Sequence, residues 1–160
     1  MKWQRILSII ILTVAVFLIQ QSFLINFWPI NLLLLLVIWF SYWQKPSALL
    51  LAFLAGGLVG WQSGAIGPAV ISYVAVNFLI TYLSQHLPLE SFSHYFLVTF
   101  LGIVVFFIIY YLSIIIFNVW FRQESLNTYI SLSWFDLVKT IFFYQVIMII
   151  SYLIKPKIDI

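Results

Sequence analysis

Apolar residues fill this chain in long blocks, and the few positions that interrupt them carry most of its topology. Breaks at Pro, Gly, Asn and charged residues separate six blocks, at about 5–27, 30–43, 46–61, 68–85, 92–118 and 134–154. A helix needs about 20 apolar residues to cross a hydrocarbon layer of roughly 30 Å. The first, fifth and sixth blocks have that length. The second and third are short: at 1.5 Å per residue the second reaches only about 21 Å. Two arrangements stay open for this pair. They are either two short crossings or a re-entrant hairpin whose corner, Trp43-Gln44-Lys45-Pro46, is buried in protein. Removing both leaves the parity of the chain unchanged, so the predicted orientation is the same in either case. Ser133 and Asp136 stand at capping-box spacing before the last block, with Asp in place of Glu.

The pattern predicts an all-α, polytopic transmembrane helix bundle of about six spans, in a single domain over 1–160. Composition agrees. Hydrophobic residues make up 65% of the chain, charged residues only 7%, and the mean hydropathy is +1.16. A soluble domain carries about 25% charged residues, whereas lipid needs no polar cover. Placing the N-terminus inside puts Lys2, Arg5, Lys45, Lys155 and Lys157 on the inner side and Arg122 and Lys139 on the outer side. That distribution satisfies the positive-inside rule, and both termini are expected in the cytoplasm. Trp3, Trp28, Tyr42, Trp43, Trp120, Trp134 and Tyr152 fall at span ends, where an interfacial aromatic belt belongs. The longest outer loop is about 119–133. Lys2 and Arg5 before an apolar run resemble a secretory signal. The run continues to about Phe27 with no A-x-A site after it, so a retained helix is expected.

Charge and cysteine content narrow the chemistry. The sequence pI is about 9.2, but its basic residues are scattered at loops and ends with no basic stripe, so nucleic acid is not an expected partner. There is no cysteine, hence no disulfide, thiolate nucleophile or Cys-ligated metal. The four acids, Glu90, Glu124, Asp136 and Asp159, all lie away from span centres. A lipoprotein signal peptidase needs an intramembrane Asp pair, which is absent. The segment Gly60-Trp61-Gln62-Ser63-Gly64 is superficially similar to the rhomboid-protease G-x-S-G. It has one residue too many, and no deep histidine follows to act as base. His86, Glu90 and His94 are spaced four apart, but Pro88 interrupts the helix that would align them as ligands. The chain is therefore expected to be neither an enzyme nor the holder of a metal or cofactor.

Two features remain. Five of the six glycines, Gly56, Gly57, Gly60, Gly64 and Gly67, crowd one short stretch. Ala48, Ala52, Gly56, Gly60 and Gly64 recur every fourth residue, which on a helix makes one face almost bare of side chains. Lipid tails are as apolar as leucine, so helices in a bilayer associate through close backbone approach, and small residues permit it. The stripe, continued by a tight turn and the Gly67-Pro68 start of the next helix, predicts a surface for helix packing or for a partner's helix. In addition, Asn77 and Gln145 sit near the midplane of their blocks. An interhelical hydrogen bond is expected for each, since two amides without a charged companion make a poor small-molecule site.

Over residues 29–85 the chain resembles the rod shape-determining MreD family. The features that carry the resemblance are Pro29, the short Leu-rich helix NLLLLLVIW, a small-residue helix with Gly57-Leu58, the turn Gly64-Ala65-Ile66-Gly67, and a following helix of aromatic and small residues. Val59, Gly60 and Trp61 stand where that family often carries an Asp, so no role of that acid transfers. The resemblance implies a non-enzymatic, multi-pass protein of the bacterial cell membrane that helps direct peptidoglycan synthesis and cell shape. It also implies an MreC-like bitopic protein and other elongation-complex proteins as partners. A second resemblance, to the S components of energy-coupling-factor vitamin transporters, rests on size and span number. Those proteins commonly carry Ala-x-x-x-Ala in the first helix, where this chain has only Ala15.

Overall fold

A computed structural model describes residues 2–21, 31–43, 46–86 and 92–121, together with 142, 145 and 146. All regular structure among them is helical: α1 (Lys2–Ile19), α2 (Leu32–Tyr42), α3 (Ala48–Ser63), α4 (Ile66–His86) and α5 (Phe92–Phe121). Loop 119–133 and the sixth predicted span, 134–154, fall outside the described residues apart from 119–121 and those last three. Among the described residues, two helices are long and apolar enough to cross a membrane: α4, and α5 over Phe96–Phe117.

Helix boundaries follow local chemistry. α2 starts where Asn31 caps it, its Oδ1 accepting from the Leu34 N–H at 3.1 Å. Gln20, in a widened last turn of α1, accepts from the Leu33 N–H at 3.4 Å. α3 stops at Gly64, which adopts left-handed φ = 70°. The Ala65 N–H then bonds the Gly60 carbonyl at 2.9 Å and the Gly64 N–H bonds the Trp61 carbonyl at 3.4 Å, the paired closure of a Schellman motif. The turn is shorter than the sequence pattern predicts. Ile66 and Gly67 already belong to α4, and Pro68 is its third residue, where an N–H would have no partner in the helix.

α4 is the organising helix. It packs antiparallel against α3 on one side and α5 on the other, and α2 lies across the same group. The aromatic seam between α4 and α5 sets the Tyr73 ring edge-on to Phe106 at 5.0 Å, and Phe106 in turn stacks on Tyr110. α2 is enclosed on nearly every side: Leu33, Leu34, Val37, Ile38, Ser41 and Tyr42 are buried, and Trp39 alone of its large side chains is exposed. α1 is the opposite case. Ile9 and Thr13 are buried, while Leu7, Ile11, Leu18 and Ile19 are exposed. Its C-terminal end is tied to the bundle by a reciprocal amide pair with α3. Gln62 donates to the Gln21 carbonyl oxygen at 2.9 Å, and Gln21 donates back.

The register of these contacts shows that the α2–α3 unit is short along the bundle as well as in sequence. α2 has 11 residues, about 16 Å at the helical rise, and α3 has 16, about 24 Å. Gly60 faces Ile66 and Gly56 faces Val70, a register that carries Ala48 to the level of Phe78. α4 continues from there to His86, about 12 Å further. From the Gln20–Leu33 contact, α1 runs 18 residues back to Lys2 while α2 runs ten on to Trp43, again a difference of about 12 Å. The corner joining α2 to α3 therefore lies about 12 Å along the bundle from the N-terminal end of α1 and from the C-terminal end of α4.

Candidate functional site: a glycine seam and a buried amide

The small residues of α3 are spent on α4. A Cβ built on Gly56 would stand 2.6 Å from the Val70 Cα, and one on Gly60 would stand 2.4 Å from the Ile66 Cα. No side chain fits between two backbones at that separation. Ala48, Ala52 and Ala55 extend the same buried face. Gly67 and Pro68 continue the contact on α4 itself: Pro68 is buried, and a Cβ on Gly67 would meet the Phe117 ring of α5 at 2.8 Å. Hence Ala52, Gly56 and Gly60 lie on the packed face of α3, while Gly67 packs against α5 and Pro68 is buried beside it on α4. Gly64 keeps the four-residue spacing but leaves the face. It is exposed, nothing lies within 4 Å of a Cβ built there, and its requirement is the left-handed φ. Gly57 likewise has open space around it.

The polar residues divide. Asn77 is buried on α4, and its Oδ1 lies 2.8 Å from the Ser41 hydroxyl of α2, which lies 2.7 Å from the Val37 carbonyl. The hydroxyl has one proton for two acceptors. Turning the Asn77 amide so that its NH2 faces Ser41 resolves the conflict, the hydroxyl donating to Val37 and accepting from Asn77. Gln145 is 6% exposed, and neither of its amide atoms has a hydrogen-bond partner among the described residues. The interhelical hydrogen bond expected of it is therefore not formed among the described residues.

Sequence reasoning passed over three contributors. Ser41 gives the Asn77 amide its partner. Gly102, the lone glycine of the fifth block, lets Ile80 and Ile38 close over α5, a Cβ there falling 2.5 Å from Ile80 Cδ1. An isolated glycine in a helical pattern is itself the signal of such an approach. The Gln21–Gln62 pair has no local signature, since its members are 41 positions apart. The histidines stay separate: His86 is exposed at the end of α4, its Nδ1 2.8 Å from the Tyr82 carbonyl, while His94 is half-buried on α5 and Glu90 lies outside the described residues. Among the described residues, no cluster of three His, Cys, Asp or Glu is placed to hold a metal.

The arrangement can hold helices together and can offer apolar faces; it places no acid–base pair in reach of a buried substrate among the described residues. Comparison with protein-family models, curated proteins and solved structures finds no match to this chain.

Proposed function

We propose that this protein is a non-enzymatic, multi-pass membrane scaffold of the MreD kind, seated in a bacterial cell membrane, which binds membrane proteins of the elongation machinery and helps direct wall synthesis. The observation that carries the proposal is the α3–α4 seam. Backbone-to-backbone packing of apolar helices is how a bundle coheres where lipid competes equally for every leucine. The buried polar groups on described helices support a packing role, since they are hydroxyls and amides without a buried charge among them. Because the bare face of α3 is occupied by α4, partner contact falls to outward positions such as Phe53 and Trp61, or to loop 119–133.

The test is photo-crosslinking in growing cells from probes at Phe53, Trp61 and within 119–133. Adducts with an MreC-like single-span protein are the expected result. A vitamin and transporter ATPases travelling with the purified chain, with no such adduct, would replace this reading by the transporter S component.

A further inference from the structure

Among the described residues, four Trp and Tyr rings stand open at the surface: Trp3 is 83% exposed, Trp61 80%, Tyr82 60% and Trp39 39%. Three of the four fall at two levels that the helix contacts fix. Gly60 of α3 faces Ile66 of α4, and Gln62 bonds Gln21 of α1, so Trp61, Gln62 and Gln21 share one level near the start of α4. From Gln21, α1 runs back to Trp3 over about 27 Å, and from Ile66, α4 runs on to Tyr82 over about 24 Å. Gln62 stands about 3 Å beyond Gly60, so Trp3 and Tyr82 arrive at one opposite level on two different helices. Past Gln4, which adjoins Trp3, the exposed side chains described between the two levels on α1, α3 and α4 are apolar with the exception of Ser8. The Ser8 hydroxyl bonds the Gln4 carbonyl at 2.8 Å. Exposed polar side chains return beyond the levels, with Gln62 next to Trp61 and Gln85 and His86 past Tyr82.

Trp and Tyr join an apolar ring to a polar N–H or O–H, and they gather where hydrocarbon meets headgroups. The gap of about 27 Å between the two levels is the thickness of a hydrocarbon layer, roughly 27–30 Å. The amide pair agrees: Gln21 and Gln62 spend one N–H each on the other, and exposed amides need water or headgroups for the rest. We propose that the two levels are the headgroup boundaries of a bilayer whose normal runs along α4. Trp61 and the Gln21–Gln62 pair meet phospholipid headgroups at one boundary, and Trp3 and Tyr82 meet them at the other. This inference rests on the membrane-spanning reading and adds to it the depth of each helix. Trp39, the least exposed of the four rings, lies between the boundaries. Three helices then each carry an exposed apolar side chain near midplane, Ile11, Phe53 and Ile71, about 10–15 Å from the Gln62 level.

The chain has no cysteine, so a nitroxide can be attached at one introduced thiol at a time. The experiment uses the full chain in vesicles of dioleoyl phosphatidylcholine. Trp3→Cys, Trp61→Cys and Tyr82→Cys probe the boundaries, and Ile11→Cys, Phe53→Cys and Ile71→Cys probe the midplane. Spin relaxation is measured with oxygen, which concentrates in hydrocarbon, and with a neutral nickel chelate, which stays in water. The oxygen-to-nickel ratio at positions 11, 53 and 71 should exceed that at 3, 61 and 82 several-fold. A midplane ratio at position 61 or a boundary ratio at position 53 overturns the proposal. Shielding of position 61 from both reagents overturns it too, because a second copy then sits where headgroups belong. Strong nickel relaxation at all six positions would instead refute the bilayer-spanning reading itself.

Discussion

Gly56 and Val70 meet backbone to backbone, with 2.6 Å between the Val70 Cα and the point where a Cβ on residue 56 would stand. A main chain cannot swing aside as a side-chain tip can. The seam is therefore intolerant at Gly56 and Gly60 and indifferent one residue away.

That contrast gives the first prediction. Gly56→Ala and Gly60→Ala should each destabilise by about 1–3 kcal/mol, the usual cost of forcing a methylene into a closed contact. Gly57→Ala, with nothing within 4 Å, should stabilise by up to about 1 kcal/mol through helix propensity. Thermal unfolding of the purified protein in one detergent checks both signs. Equal losses at positions 56 and 57 would contradict the seam.

Gly64 is needed for its conformation. Gly64→Ala should cost about 1–2 kcal/mol from the left-handed backbone, and Gly64→Asn distinctly less, because Asn tolerates that region. The same unfolding measurement separates the two. A packing role would make the larger Asn the worse substitution.

Ser41 and Asn77 act as one unit. Asn77→Leu is expected to cost about 0.6–2 kcal/mol, and Ser41→Ala a similar amount by leaving the amide without its hydroxyl. The double variant should cost less than the sum of the two. A cycle that closes additively would mean the pair is not coupled.

The amide pair at the C-terminal end of α1 holds that helix, whose buried contacts are otherwise sparse. Gln62→Ala should leave α3 and α4 protected while hydrogen exchange accelerates in the last turns of α1. Uniform acceleration through all helices would show that α1 is bound into the bundle by other contacts.

Much of the fold was legible in residue order. The apolar blocks predicted the helices at 48–63, 66–86 and 92–121 to within a few residues, because an unbroken apolar run bounded by Pro, Gly and charge has few alternatives. Beyond Gln21 the first block lies outside the described residues, and Gln20 and Gln21, in the widened last turn of α1, bond the start of α2 and the end of α3. Glycine spacing located the seam at Gly56 and Gly60 but also drew in Gly64, since a four-residue interval does not distinguish a contact from a cap. Asn77 was expected to bond across helices. Which helix would answer was not readable, as a serine 36 positions earlier carries no mark of its destination.

From sequence alone came the helical class, the segments apolar enough for a bilayer, and the sites where a backbone could come close or reverse. Hydropathy measures how unwillingly a side chain meets water, and it is blind to whether lipid or protein replaces that water. The enclosure of α2 and the assignment of the bare α3 face to α4 were decided only when α4 set a common register for its neighbours. Enclosure is a property of that register, and no single helix contains it.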